Sequence, residues 1–387
     1  MGVQLLMKDW HVHVFTSTYA ADVTGACSAM FELGGMSILH DPDGCNSTYT
    51  THDEPRWYDS QSLMFCSGLD ELTAVLGDDN VLIDDVTQAS RDLHPRFIML
   101  CGSSIPHIIA FDYKGVAHLI EQRTGVPVIP VPTNGLDLYT RGVGLALREW
   151  IRRFADPSEE KVPGSVNLLG VTPIDFSNRD NVAALRKTFT DAGLTVNGCF
   201  AMEDSFDNLA HAYRASVNVC VSSAGLLPAK MMRAKAGTPY VIGLPVGPYM
   251  AEQVMQAVRA SEKDGRNRNA FGRDTVQQED ILVIGEQVYA QSMADGINHT
   301  AFAGENGMHA GALWPDIEEG IDEDGLIARM NHAKIAVCDP LYRNVLRNPD
   351  TRLIPLPHEG YSCRSFRKDM PVFASDRFDL EKFLREA

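Results

Sequence analysis

The sequence predicts an α/β chain of three similar lobes with mostly parallel, doubly wound sheets. Three observations predict it. Apolar runs ending in Gly or Ser alternate with segments of helical period, the pattern of strand–helix–strand units. Two polar stretches, FADPSEEKVPGS (154–165) and EKDGRNRNAFGRD (262–274), interrupt the alternation as linkers would. The 387 residues exceed one ordinary core and fit two or three.

In the first unit, PRFIMLCGSSI (95–105) reads as a buried parallel strand and its turn. KGVAHLIEQRTG (114–125) reads as a helix closed by Gly, and VPVIPVPTNG (126–135) as the next strand. The second unit opens with the strand SVNLLGVTPID (165–175), the amphipathic helix 178–193 and the strand 194–201. A helix at 209–215, strands at 216–223 and 238–247, and a helix at 229–237 follow. The third unit starts at DILVIGE (280–286) and has later strands at KIAVCDP (334–340) and TRLIPLP (351–357). The expected domains are therefore 1–157, 158–265 and 275–387.

Composition excludes several classes of function. A net charge of -17 lacks the basic footprint that nucleic acid or anionic lipid requires, and leaves an acidic face for a basic partner. No stretch approaches a membrane span and no secretory signal is read, so the expected location is cytoplasmic. Eight cysteines without a CxxC pair, in such a chain, point to buried thiols or metal ligands rather than disulfides. There is no G-x-x-x-x-G-K-[ST], so ATP hydrolysis would belong to a partner, and no clean G-x-G-x-x-G to hold a nicotinamide cofactor.

The densest chemistry lies at 25–71, which holds Cys27, His40, Cys45, His52 and Cys66. HDPDGCN reads as a loop after the strand MSIL, placing Cys45 at a strand's carboxyl end, where open α/β sheets bind ligands. Cys27 reads as lying near a helix start, which favours thiolate. Two thiolates per chain do not complete a four-cysteine cluster, but a symmetric dimer supplies four. Zinc held by Cys27, His40, Cys45 and His52 is the competing reading. Asp41 and Asp43 flank the cysteine loop as oxygen ligands or proton donors. His52, Asp53, Glu54, Arg56 and Trp57 form an acid/base group, a docking surface or a salt-bridged loop. His11 and His13 share one strand face.

H-x-P-x-G-C at 40–45, with the GA and helix before it, resembles the cluster-binding region of the nitrogenase component 1 superfamily. PRFIMLCGSSIPHIIAFD (95–112), 165–197, 236–247, VCDPLYRNVL (337–346) and LPHEGYSCRSF (356–366) extend the resemblance over nearly the whole chain. It implies three Rossmann-like domains and a homodimer or a heterodimer with a homologous subunit. It also implies an intersubunit iron–sulfur cluster of [4Fe-4S] type and a P-loop iron–sulfur reductase, similar to the nitrogenase iron protein, as electron donor. A small organic or tetrapyrrole substrate would bind among the three domains. Carried over by position, Cys45 falls on a family ligand. Ala20 and Ser104 stand near the other two ligand positions, with Cys27 as a substitute and Cys66 and Cys101 as further candidates. Ser222, with Cys220 two residues earlier, and His358 fall near the family's cofactor residues. His52, Ser222 and His358 are the catalytic candidates, with Tyr361 lining the same expected cavity. The alternative role is a non-catalytic scaffold or carrier for a metallocofactor, as in some relatives.

Overall fold

The computed structural model describes residues 20–42, 44, 53–272, 279–315 and 321–386. His11, His13, Asp43, Cys45 and His52 lie outside the described residues.

Three parallel sheets follow one another along the chain. The first has the order β2-β1-β3-β4, from β1 (Met36–His40), β2 (Leu63–Cys66), β3 (Ile98–Gly102) and β4 (Val128–Pro130). The second has the order β6-β5-β7-β8-β9, from β5 (Val162–Leu169), β6 (Thr195–Cys199), β7 (Ala215–Cys220), β8 (Tyr240–Ile242) and β9 (Arg268–Asn269). The third has the order β11-β10-β12-β13, from β10 (Ile281–Ile284), β11 (Ala310–Leu313), β12 (Ile335–Cys338) and β13 (Arg352–Pro355). These are the three Rossmann-like domains the sequence predicts. Their central strands β1, β3, β7, β10 and β12 are buried along their whole length, because helices cover both sheet faces.

In the first sheet, Met36, Ile38, Ile98 and Leu100 face one core. Leu39, Met99 and Cys101 face another, shared with the helices Asp22–Met30 and Tyr139–Phe154. Those two helices pack without room for a side chain at the crossing. A Cβ at Gly25 would strike the Tyr139 carbonyl, and one at Gly142 would strike that of Asp22. The same core takes in Phe200, Tyr213, Cys220 and Met232 of the second domain. Another core joins the second domain to the third and to Phe373, Leu380 and Leu384 near the chain's end.

Three elements differ from the sequence reading. Residues 209–215 form two short turns around buried Leu209 and Tyr213, because the segment is too short to propagate a helix. The stretch 262–274 begins as the end of the helix Gly247–Asp264 and contains the edge strand β9, pinned where Arg268 pairs with Asp264 at 2.6 Å. Strand β2 is not foreseen by the sequence pattern, because LMFC is short and lacks alternation.

Candidate functional site

The first cluster of interest forms at the carboxyl edge of the first sheet. Leu39 on β1 is in register with Cys66 on β2 and with Cys101 on β3, so both cysteines share its face. The helix Asp22–Met30 lays Cys27 over that face, with its Sγ 3.7 Å from the Cys101 Sγ. The Cys66 Sγ lies 3.5 Å from the Asp41 carbonyl. Cys27, Cys66 and Cys101 are thus brought to one face, and in sequence the segment bearing Cys45 follows the strand between them.

The position of Cys27 departs from the sequence reading. Its helix starts at Asp22, so Cys27 sits in the second turn and not at the N-terminus. It is fully buried, and burial, followed by the neighbouring Cys101 thiol, pushes it well above the ordinary thiol range. A metal there would have to displace a proton from a neutral thiol. Asp22 is likewise raised by burial, even though its carboxylate accepts the N–H groups of Asn134 and Gly135 at 2.8 Å. The buried hydroxyls of Ser103 and Tyr113, beside the end of β3, find no hydrogen-bond partner among the described residues.

His40 follows Leu39 and therefore points to the opposite face. Its ring lies 4.4 Å from that of Phe111, its Nδ1 is 2.9 Å from Ser67 Oγ, and burial pushes it down to about 4. Cys27 and His40 thus lie on opposite sides of the sheet, which separates two members of the expected zinc set. No group of three or more metal-type ligands is preassembled among the described residues.

The segment after the cysteine loop is an anchor rather than a docking surface. The Arg56 guanidinium is 2% exposed and pairs with Glu54 at 2.6 Å and Glu32 at 2.9 Å. It also donates to the carbonyls of Ser28 and Ala201, tying this segment to the Cys27 helix and to the second domain.

The second cluster lies where the three domains meet. Asp175 is fully buried; its Oδ1 accepts from the Tyr139 hydroxyl at 2.5 Å and faces His358 Nε2 at 3.2 Å. The Gly360 N–H donates to His358 Nδ1 at 3.0 Å, so the lone pair is on Nδ1 and the Nε2 proton points at Asp175. Asp339 receives the His358 N–H and the Ser362 hydroxyl. Glu286 caps the helix Gln287–Asn298 and accepts the Ser223 N–H at 2.9 Å from the second domain. Burial, helped by Asp175, pushes Glu286 up to about 7.

The expected substrate cavity among the domains is filled. The Tyr139, Tyr289 and Tyr361 rings surround His358 with centroids 5.1–5.9 Å away. The Ser222 hydroxyl is spent on the Gly170 carbonyl at 2.9 Å, and Cys220 ends a buried strand. A neighbouring cavity, between Ala20, Ile174, Asp53 and Cys363, measures about 10 Å³. A wider pocket of 820 Å³ opens between the second and third domains, around Phe271, Asp295 and Arg329, and holds none of the predicted site residues. Ala20 packs on Tyr139 and Ile174 at the junction, and Ser104 begins a short helix.

The sequence reading singles out His358 and Ser222 but misses Tyr139, Asp175, Glu286, Asp339 and Glu359. A signal exists: an acidic residue stands just beyond the strand in TPID, IGE, VCDP and PHEG.

Three successive parallel sheets, with thiols at the carboxyl edge of the first and a buried polar junction among them, define a three-domain α/β protein. The family profile described as "Nitrogenase component 1 type Oxidoreductase" matches residues 22–302, and the chain belongs to that family. It is 24% identical over 215 residues to "Nitrogenase iron-molybdenum cofactor biosynthesis protein NifE" of Methanococcus maripaludis, covering 53% of this chain and 44% of that protein. It is 24% identical over 222 residues to a subunit of the light-independent protochlorophyllide reductase of Pelodictyon phaeoclathratiforme, covering 55% and 40%. The chain thus spans less than half the length of these curated relatives. A solved structure described as "Nitrogenase Cp1 at pH 5" shares the fold, with a TM-score of 0.64, 16% identity and coverage of 96% and 88%. A second, "Nitrogenase Cp1 at pH 6.5", gives a TM-score of 0.66, 12% identity and coverage of 98% and 96%.

Proposed function

We propose that the chain is the electron-accepting, substrate-reducing component of a nitrogenase-like system. It takes low-potential electrons from an ATP-dependent iron–sulfur reductase and passes them through an iron–sulfur cluster to a small organic or tetrapyrrole substrate. The observation that carries this reading is the set of thiols on one face at the carboxyl edge of the first sheet, in a chain of this family.

The donor set fits such a group, since soft thiols suit iron–sulfur chemistry. Cys27 Sγ lies 3.7 Å from Cys101 Sγ, and Cys66 stands on the same face two strand widths, roughly 10 Å between backbones, from Cys101. The family membership favours a cluster of [4Fe-4S] type on these thiols. Cys27 and Cys45 would hold it, with Cys66 and Cys101 as further ligands. When bound, the cluster supplies one-electron storage at low potential.

The chain's own groups then have definite tasks. Thiol protons leave as metal binds. Arg56 holds the segment that follows the cysteine loop. Leu72, Val75, Leu76, Ile105, Ile108 and Leu136 of the first domain are exposed, each in a segment that follows a strand's carboxyl end, and the helix Glu71–Leu76 buries none of its residues. Such a surface suits a second, homologous subunit. The test is turnover by the anaerobic complex with its reductase, in the parent and in Cys45→Ala and Cys27→Ala. The reading expects reductase- and ATP-dependent substrate reduction that both variants abolish. Unaltered turnover in both variants would refute it.

A scaffold or carrier role is the second reading, favoured by the cofactor-biosynthesis name of the NifE relatives and by the filled junction. Transfer of a loaded metallocofactor to an acceptor protein, without substrate turnover, would establish it.

A further inference from the structure

The three-domain junction carries more than a fit of shapes. Tyr139 comes from the first domain, Asp175 and the Ser223 N–H from the second, and Glu286 and His358 from the third. All four side chains lie in one buried polar unit. Its bonds cross from domain to domain, so they break if the domains part: the Ser223 N–H donates to Glu286 Oε1, and the Tyr139 hydroxyl donates to Asp175 Oδ1.

We propose that this unit is a proton-controlled latch, closed while buried Glu286 holds a proton beside Asp175 and released when Glu286 ionises. Each carboxylate is fully buried, so two like charges there lose hydration and repel. Among the described residues, the groups that face Glu286 add no compensating cation. They are Asp175 on the helix Pro173–Phe176, Tyr139 and Tyr289, whose hydroxyls feel its charge, and the N–H groups of Ser223, Val288 and Tyr289. Asp339 adds a carboxyl nearby, facing Tyr289. His358 directs its Nε2 proton toward Asp175, and Arg367 is committed to Glu359 at 2.5 Å.

On release, the Glu286 proton passes to bulk buffer and the carboxylate regains water as the interdomain hydrogen bonds at the junction open locally, with the shared apolar cores still closed. The shift is consistent in direction. Glu286 moves from an ordinary 4.5 to about 7 when closed, so closure is favoured below neutrality and weakened as pH rises through 7. The inference stands apart from the electron-transfer reading, because its readout needs neither cluster nor substrate turnover.

Hydrogen exchange on the full chain tests it, comparing protection factors of the Ser223, Val288 and Tyr289 amides at pH 6 and pH 8. The parent is expected to lose protection about tenfold across that interval, the ratio that follows from the two proton affinities. Glu286→Gln is expected to show no such loss. Asp175→Asn, which removes the facing charge, is expected to keep high protection at pH 8. Equal parent protection at both pH values overturns the latch, whether or not either variant folds. So does a tenfold loss that survives in Glu286→Gln.

Discussion

Replacing Arg56 by Met tests how the segment around Glu54 and Arg56 is anchored. The guanidinium is 2% exposed, pairs with fully buried Glu54 and with Glu32, and donates to the Ser28 and Ala201 carbonyls. Methionine keeps much of the stem's packing but leaves the Glu54 carboxylate buried with its main counter-charge gone. Breaking a buried pair from one side costs about 3–5 kcal/mol. Ser28 Oγ still donates to Glu54 at 3.0 Å, which places the expected loss near the lower end. Urea denaturation, followed by circular dichroism on the folded chain, reads the change. The double variant with Glu54→Gln is expected to recover about 1–2 kcal/mol of the loss, because the buried carboxylate charge is then gone. A loss under about 1 kcal/mol, or strict additivity in the double variant, would show that the ion pair is not what fixes this segment.

Further outcomes follow from the same geometry. His40, pushed down to about 4, is expected to keep a neutral ring to below pH 5. Its stabilising contribution, about 3 kcal/mol at most, is then full above 6.5 and falls as pH drops toward 4, and the ring's proton resonances followed by NMR titration check this. Gly142→Ala would drive a methyl into the Asp22 carbonyl and is expected to destabilise the chain by about 1–3 kcal/mol in thermal unfolding. Among the cysteines of the described residues, Cys66 and half-buried Cys363 are expected to alkylate first in the metal-free native chain. Cys27, Cys101, Cys199, Cys220 and Cys338 should react only on unfolding, as mass spectrometry of iodoacetamide-treated protein would show.

Most of the fold is legible because its signals are periodic and local. Short apolar runs such as IMLCG and ILVIG, bounded by turn residues, fit buried parallel strands and form them here, and the polar stretch 154–165 marks a change of sheet. The short strands β2 and β9 are not legible, since their pairing is dictated by neighbours and not by their own pattern. The thiol edge is partly legible. Cys27 is recognisable, but its burial depends on how two helices close at Gly25 and Gly142, a tertiary fact. Cys66 gains its place only through register with Leu39. At the junction His358 stands out by resemblance, while its partners lie 219 and 183 residues away in sequence, beyond the reach of any local pattern.

The most direct measurement is iron and acid-labile sulfide analysis of the anaerobically purified chain, paired with electron paramagnetic resonance after dithionite reduction. The account predicts a brown protein with stoichiometric iron and sulfide and a low-temperature signal of a reduced cluster, all lost in Cys45→Ala. A folded, colourless protein free of iron, or one loaded with zinc alone, would contradict it.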